Sequence, residues 1–318
     1  MNPSGETPFV FAAPELDRLS ARRDDATWLE QALAAERARF VAVAGDSNLI
    51  VDDGGHPRAL LLRRTEADVL LPDARCVVFL GEWRGHACFA LGLDEGKIVP
   101  GAEPRDLRQV SMLLEDAELA LLGYARAMTH WHGTHLHCGR CGAPTRSLRA
   151  GHERACSACN LPVFPRLDPA VIVLVTHGER CLLGRQKIWP PHRYATLAGF
   201  VEPGESLESA LRREVEEETN VHLGAIHYRS SQPWPFPRSL MLGFRAEALT
   251  TDIRYNDGEL EHAAWFSRAD IVQAVRDMTL LLSPSRSISY RLIRDWFEEH
   301  PDYSFTDLPY VDPYLAQK

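Results

Sequence analysis

The stretch Gly199-Phe-Val-Glu-Pro-Gly-Glu-Ser-Leu-Glu-Ser-Ala-Leu-Arg-Arg-Glu-Val-Glu-Glu-Glu-Thr-Asn-Val221 decides how the rest of the chain is read. Ser206 is a helix N-cap by type, because its hydroxyl can accept from an amide of the first turn. Leu207, Ala210, Leu211 and Val215 recur at three- and four-residue spacing, which predicts a helix from Leu207 to about Thr219 with one buried face. The same period puts Glu214 and Glu218 on or beside that face, and Glu217 at its edge. Carboxylates crowded there repel one another and lose hydration. A divalent cation removes both costs, and hard oxygen donors in this number suit magnesium or manganese. A solvated charged helix is the alternative at this point. Glu208 with Arg212, Arg212 with Glu216 and Arg213 with Glu217 all have ion-pair spacing. Gly199 and Gly204 flank a tight segment whose amides, with the helix N-terminus, can face phosphate oxygens.

Working outward, Ala170 to Val175 is continuously apolar and reads as a buried strand, with Cys181 to Leu183 its partner across the His177-Gly178-Glu179 turn. Ser231-Gln-Pro-Trp-Pro-Phe-Pro237 is a stiff, extended loop in which prolines alternate with Trp234 and Phe236. Rings held in this way can line a slot for a flat base, or they can be plain core. Leu240 to Ala246 and Ala263 to Phe266 read as strands, and Ser287 to about Glu299 as a last helix. Strands alternating with helices indicate an α/β layered domain.

Upstream lies Cys138-Gly-Arg-Cys141 and, after residues 142–155, Cys156-Ser-Ala-Cys159. Two such knuckles present four thiolates to one ion, which favours a structural zinc with no position left for water. His132, His135, His137 and His152 are then surface or packing groups. Arg140, Arg146, Arg149 and Arg154 keep open a nucleic-acid-binding ribbon. One helix is expected from about Leu107 to Trp131. The region before it reads as short strands (Arg58 to Leu62, Ala74 to Leu80, Ala87 to Leu91) separated by turns, without a catalytic constellation.

Composition bounds the function classes. The 318 residues are 45% hydrophobic and 25% charged, with 35 Lys plus Arg against 44 Asp plus Glu and a formal charge of −9. This suits a globular chain of two or three domains and disfavours a general polyanion coat. No apolar run is long enough to span a bilayer and no secretory signal is expected in the first 30 residues, so the expected location is the cytoplasm. The seven cysteines, clustered as they are, suit a reducing compartment and one bound metal rather than disulfides.

The 199–221 stretch resembles the Nudix box, G-x5-E-x7-R-E-U-x-E-E-x-G-U with U aliphatic. Gly199, Glu205, Arg213, Glu214, Val215, Glu217, Glu218 and Val221 match, and Asn220 stands where the family has glycine. Asn is the non-glycine residue best suited to a left-handed position after a helix. The Ser231–Pro237 loop with Arg238-Ser239, the four-cysteine ribbon and Phe164-Pro-Arg-Leu-Asp-Pro169 resemble the NADH pyrophosphatase and NAD-capped RNA hydrolase subgroup. Phe164 stands where that subgroup often has tyrosine.

The resemblance implies a three-layer α/β/α Nudix fold with a mixed sheet over 166–318. A zinc ribbon over 131–165 and an N-terminal α+β domain over 1–130 would precede it. It implies cleavage of the NADH or NAD pyrophosphate to nicotinamide mononucleotide and AMP, and removal of the NAD cap from RNA 5′ ends. Another nucleoside diphosphate derivative such as ADP-ribose is the alternative substrate, and a non-catalytic zinc-ribbon module the alternative class. Two or three magnesium or manganese ions would be held by Glu214, Glu217, Glu218 and Glu259, with Glu261 the second choice for the last. Glu218 would be the leading base, with Arg213 beside the catalytic glutamates. Phe200, Phe164, Gln232, Trp234, Phe236, Ser239, Glu259 and Ser289 would be on the substrate side. One zinc per chain and a homodimer complete the expectation.

Overall fold

The computed structural model describes residues 9–13, 15–255 and 258–309. Parts of two sequence readings, the first eight residues with Pro14 and the Asn256-Asp257 pair before Glu259, lie outside the described residues. The chain divides into two units, one running to Leu167 and taking in Trp234–Arg238, the other Asp168–Pro233 and the chain from Ser239 onward.

The first unit is built on a twisted sheet whose central strands are Cys76–Trp83, His86–Leu93, Arg39–Ala44 and Ser47–Asp53. Alternation along Arg39–Ala44 feeds two cores. Val41 and Val43 join Val78, Leu121 and Ala125 on one face. Phe40 and Ala42 join Phe79, Phe89 and Trp28 on the other. The helix Asp116–Thr134 also adds Leu119, Leu122, Met128 and Trp131 to the first core.

The single helix expected from Leu107 to Trp131 is two. A short turn of helix, Leu107–Val110, ends before Ser111, and the long helix begins at Asp116 after an extended Glu115. The reason lies in Glu115-Asp116-Ala-Glu118: acidic residues favour the first turn, where they oppose the positive end of the helix dipole. Leu113, which would continue the apolar face of one unbroken helix, sits in the break and is exposed.

The ribbon is a three-stranded antiparallel sheet, Thr145–Leu148, Glu153–Cys156 and Pro162–Val163. It is tied to the long helix by a buried histidine. His132 Nε2 donates to the carbonyl of Gly151 at 2.8 Å, and its Nδ1 accepts from Arg154 at 2.8 Å. His152 similarly meets the carbonyl of Phe79 at 2.7 Å. These contacts give the histidines near the ribbon a packing role.

The second unit carries a mixed sheet. Its elements are β1 (Asp168–His177), β2 (Arg180–Gln186), β3 (Leu197–Phe200), α1 (Leu207–Thr219), β4 (Leu223–Trp234), β5 (Ser239–Ala248), β6 (Leu260–Ser267), α2 (Arg268–Arg276) and α3 (Ile288–Phe297). The strand order is β4-β5-β1-β2-β6, with β3 also on β1. The β1–β5 pair is parallel, and β1–β2, β1–β3 and β2–β6 are antiparallel. Val171, Val173 and Val175 of β1 and Phe244 and Ala246 of β5 meet Leu211 and Val215 of α1. Each buried Val, Leu or Phe among them contributes roughly 1.5–3 kcal/mol. Gly243 points to the opposite face, where it lies against Ile288 at the start of α3. Helices therefore cover both faces of the sheet, giving the three layers expected.

β3, α2 and most of β4 were not anticipated. Strand β4 runs into the loop expected at Ser231–Pro237, and its place at the sheet edge accommodates Pro233. Among the described residues no helix is long and apolar enough to cross a membrane.

Burial draws His132 down from 6.5 to about 4, with the Gly151 carbonyl opposing and Arg154 adding to the drop; burial draws His152 down similarly, to about 4. The unfolded chain therefore binds these protons first. The stability that neutral His132 and His152 confer is complete above pH 6.5 and is lost as pH falls towards 4. Melting followed by circular dichroism is expected to show a midpoint that declines over this window, and His132→Asn to flatten the decline.

Candidate functional site

Arg213 organises the acidic residues of the box. Its Nε and Nη2 fork onto Glu205 at 2.7 and 2.9 Å. Its Nη1 donates to Glu214 at 2.9 Å and to Glu217 at 3.1 Å, and Nη2 also donates to the carbonyl of Phe200 at 2.9 Å. Only a planar guanidinium presents donors in this spread. The helix delivers Arg213, Glu214, Glu217 and Glu218 from successive turns. Ser206 caps its start through the amide of Ser209, as its sequence position suggested. Asn220 closes the helix in the left-handed region, with φ 62°.

Electrostatics follow the geometry. The Arg213 fork, with the amide of Glu202, holds the Glu205 carboxyl down at about 2, and Glu205 in turn pushes Arg213 up. Burial pushes the Glu214 carboxyl up; Arg213 opposes this, and the charges of Glu217 and Glu259 add to the rise. Glu218 is 2% exposed. Buried and crowded carboxylates of this kind gain from a hard dication, and the donor set fits magnesium or manganese by type. Among the described residues the carboxylate oxygens do not already converge as three donors within 4.8 Å, as the cysteine sulfurs do. Glu214 and Glu217 each turn one oxygen to Arg213. The second-choice residue Glu261 is paired with Arg185. Arg212 departs from the ion-pair pattern and reaches the carbonyls of Leu223 and Gly224.

Two residues gain a role that sequence reasoning did not give them. Glu205 matched the box but had no assigned function, because it precedes the helix and no periodicity speaks for it. The position of Gly199 in the sequence suits backbone approach to phosphate. A Cβ there would overlap the Glu214 carboxyl, so the glycine is the seat of that side chain.

The residues expected on the substrate side separate into two groups. Phe200 is 58% and Phe164 56% exposed, and Glu259 is also on the surface. The others are engaged within the protein. Trp234 and Phe236 sit edge-on to each other at 5.0 Å and to Phe11 at 6.2 and 5.7 Å, against the core of the first unit. Arg108 and Arg126 approach the Phe236 ring at 4.9 and 5.3 Å. Gln232 is fully buried, its amide donating to the carbonyl of Arg286 and accepting from Ile288 N–H, both at 2.8 Å. Ser239 is buried at the start of β5, and the Ser289 hydroxyl accepts from Thr196 N–H at 3.1 Å.

The four cysteines converge. Their sulfurs lie within 4.8 Å of one another, with pairs at 3.4, 3.7 and 3.8 Å. Zinc–sulfur bonds of about 2.3 Å at tetrahedral angles place sulfurs about 3.8 Å apart, so the set fits zinc. The amides of Cys159 and then Ala158 draw the Cys156 thiol down to about 6. Cys141 has the amide of Ala143 acting in the same sense, yet the sulfurs of Cys156 and Cys159 push it up to about 12. Thiols set against one another in this way are what a dication reconciles. Of the nearby arginines, Arg154 is buried and Arg149 forks onto Asp24 at 3.0 Å, so Arg140 and Arg146 are left as the exposed pair.

Comparison with known proteins agrees with this architecture. Residues 37–131 match the model of an NADH pyrophosphatase-like rudimentary NUDIX domain, 134–164 an NADH pyrophosphatase zinc ribbon domain and 166–284 a NUDIX domain. The NAD-capped RNA hydrolase NUDT12 of Macaca fascicularis is 32% identical over 92% of this chain and 74% of its own length. The NAD-capped RNA hydrolases NudC of Stutzerimonas stutzeri and Deinococcus radiodurans are 44% and 39% identical. These alignments cover 68% and 75% of this chain and 77% and 88% of theirs.

Two outcomes are expected from the site. Native mass spectrometry should find one zinc per chain, and Cys156→Ser should lower both zinc content and melting temperature. Gly199→Ala should evict the Glu214 carboxyl and weaken Mn2+ binding, read by electron paramagnetic resonance, while the chain stays folded.

Proposed function

This chain belongs to the NADH pyrophosphatase-like Nudix hydrolases, and on that premise we propose that it hydrolyses the pyrophosphate bond of NADH and NAD, and of NAD at the 5′ end of capped RNA. The observation that carries this reading is the box, complete but for Asn220, with its acidic residues gathered on Arg213, beside an exposed Phe200. A non-catalytic scaffold has no physical need to crowd Glu214, Glu217 and Glu218 at the edge of a core. The names of the relatives, NudC and NUDT12, speak for NAD-capped RNA as a substrate of those proteins. The chain would comprise an N-terminal domain at 1–130, a ribbon at 131–165 and a catalytic domain at 166–318, with a second copy completing a homodimer in the cytoplasm.

Two or three magnesium or manganese ions, held by Glu214, Glu217, Glu218 and Glu259, would neutralise the pyrophosphate oxygens and acidify a water. The chain's own groups do the rest. Glu205 and Arg213 keep Glu214 and Glu217 in place. Buried Glu218 is assigned the proton of the attacking water. Water adds to one phosphorus in line with the bridging oxygen. One P–O bond forms as the anhydride P–O bond breaks, giving AMP and nicotinamide mononucleotide. Phe200 offers its exposed ring to the nicotinamide. At a net charge of −9 the chain exerts no general attraction on RNA, so activity on RNA rests on the cap and on local groups.

Purified protein incubated with NADH and Mn2+ is expected to release AMP and reduced nicotinamide mononucleotide in equal amounts, resolved by chromatography. Glu218→Gln is expected to lower kcat about a hundredfold or more. Turnover of ADP-ribose with none of NADH or NAD-capped RNA would overturn the substrate assignment.

A further inference from the structure

Gln232 lies in the proline-rich signature, yet both ends of its amide are committed to the main chain of the last helix. It holds the carbonyl of Arg286 and the N–H of Ile288, the residues on either side of the N-cap Ser287. One residue further on, Ser289 points into the protein. Its Oγ accepts from Thr196 N–H at 3.1 Å and shares hydrogen bonds with the Thr196 hydroxyl at 3.0 Å and the Ser283 hydroxyl at 3.3 Å. Ser283, Ser289, Thr196 and Gln232 are 2%, 5%, 4% and 0% exposed, so water does not compete for these bonds.

Thr196 directly precedes β3, and β3 ends at the catalytic glutamates. Gly199 is the seat against which the Glu214 carboxyl lies, and the carbonyl of Phe200 accepts from Arg213. A shift of β3 therefore moves the floor under Glu214 and one anchor of the guanidinium together. Nothing in Gln232 or in Ser289 Oγ needs to touch a ligand for this to matter.

We propose that Gln232, Ser289 and Thr196 are positioning residues that lock the start of α3 to β3 and thereby set where Glu214 stands for metal and pyrophosphate. The signature glutamine acts, in this account, on the box from behind the sheet rather than on the base. The inference rests on the hydrolase reading for its kinetic arm, and on the described hydrogen bonds alone for its metal arm.

The test uses the full chain in four variants: Ser289→Ala, Ser289→Thr, Gln232→Ala and Gln232→Glu. Each is measured for kcat and KM with NADH, for Mn2+ affinity without dinucleotide by electron paramagnetic resonance, and for melting temperature. Ser289→Ala is expected to lower kcat about tenfold and to weaken Mn2+ binding, while KM changes by less than about twofold. Ser289→Thr keeps the acceptor and should recover most of both losses. Gln232→Glu sets an oxygen against the Arg286 carbonyl and should behave as Gln232→Ala does, which keeps the question decidable if Ser289→Ala fails to fold. The Gln232→Ala and Ser289→Ala pair should lose little more than the worse single change, because the two act in series. A lower melting temperature with unchanged kcat and Mn2+ affinity would overturn the proposal and leave the network purely structural. If the wild type binds Mn2+ but does not turn over NADH, the substrate reading fails, and a shifted Mn2+ affinity in Ser289→Ala still supports the positioning role.

Discussion

The catalytic half of this molecule depends on one guanidinium. Arg213 has to satisfy Glu205, Glu214, Glu217 and the carbonyl of Phe200 at once. Without it, partly buried Glu214 and buried Glu218 would stand beside further negative charge in a region of low dielectric. Three consequences follow from that demand. The helix must present Arg213 and the glutamates on adjoining turns. The loop before it must return Glu205 to the fork. The strand alongside must lack a side chain at Gly199, or Glu214 has nowhere to lie. The box is thus a set of packing and charge conditions, each of which makes sense only with the others.

The cysteine ribbon solves a similar problem with different chemistry. Four sulfurs held by short turns gain nothing from one another and are brought into register by a dication. Its attachment to the long helix runs through a neutral histidine and a buried arginine. His132, neutral and fixed in one tautomer, donates to one carbonyl and accepts from Arg154. That choice makes the junction dry and directional, and also makes it sensitive to acid.

Much of this was legible in the sequence because local rules agreed with the fold. The helix cap at Ser206, the apolar face of Leu211 and Val215, and the left-handed Asn220 each follow from residue type and spacing. The knuckles follow from cysteine spacing. What escaped reading depends on contacts distant in sequence. Gly199 is explained only by a carboxyl fifteen positions later in the chain, and Gln232 by a backbone more than fifty residues away. Strand β4 alternates weakly and β3 is very short, so neither signals itself. The helix at Asp116 was blurred by Leu113 and Leu114, which continue the apolar period through a break set by acidic residues. Trp234 and Phe236 suited a base slot and a core equally by composition. Their contacts with Phe11 lie more than two hundred residues back, beyond the reach of any pattern.

The central claim is that the geometry of Arg213, and not its charge alone, holds the acidic residues for hydrolysis. The most direct test is steady-state turnover of NADH by Arg213→Lys, which keeps the charge and removes the fork. The account expects kcat to fall about a hundredfold in a chain that remains folded and zinc-loaded. A wild-type kcat in that variant would contradict it.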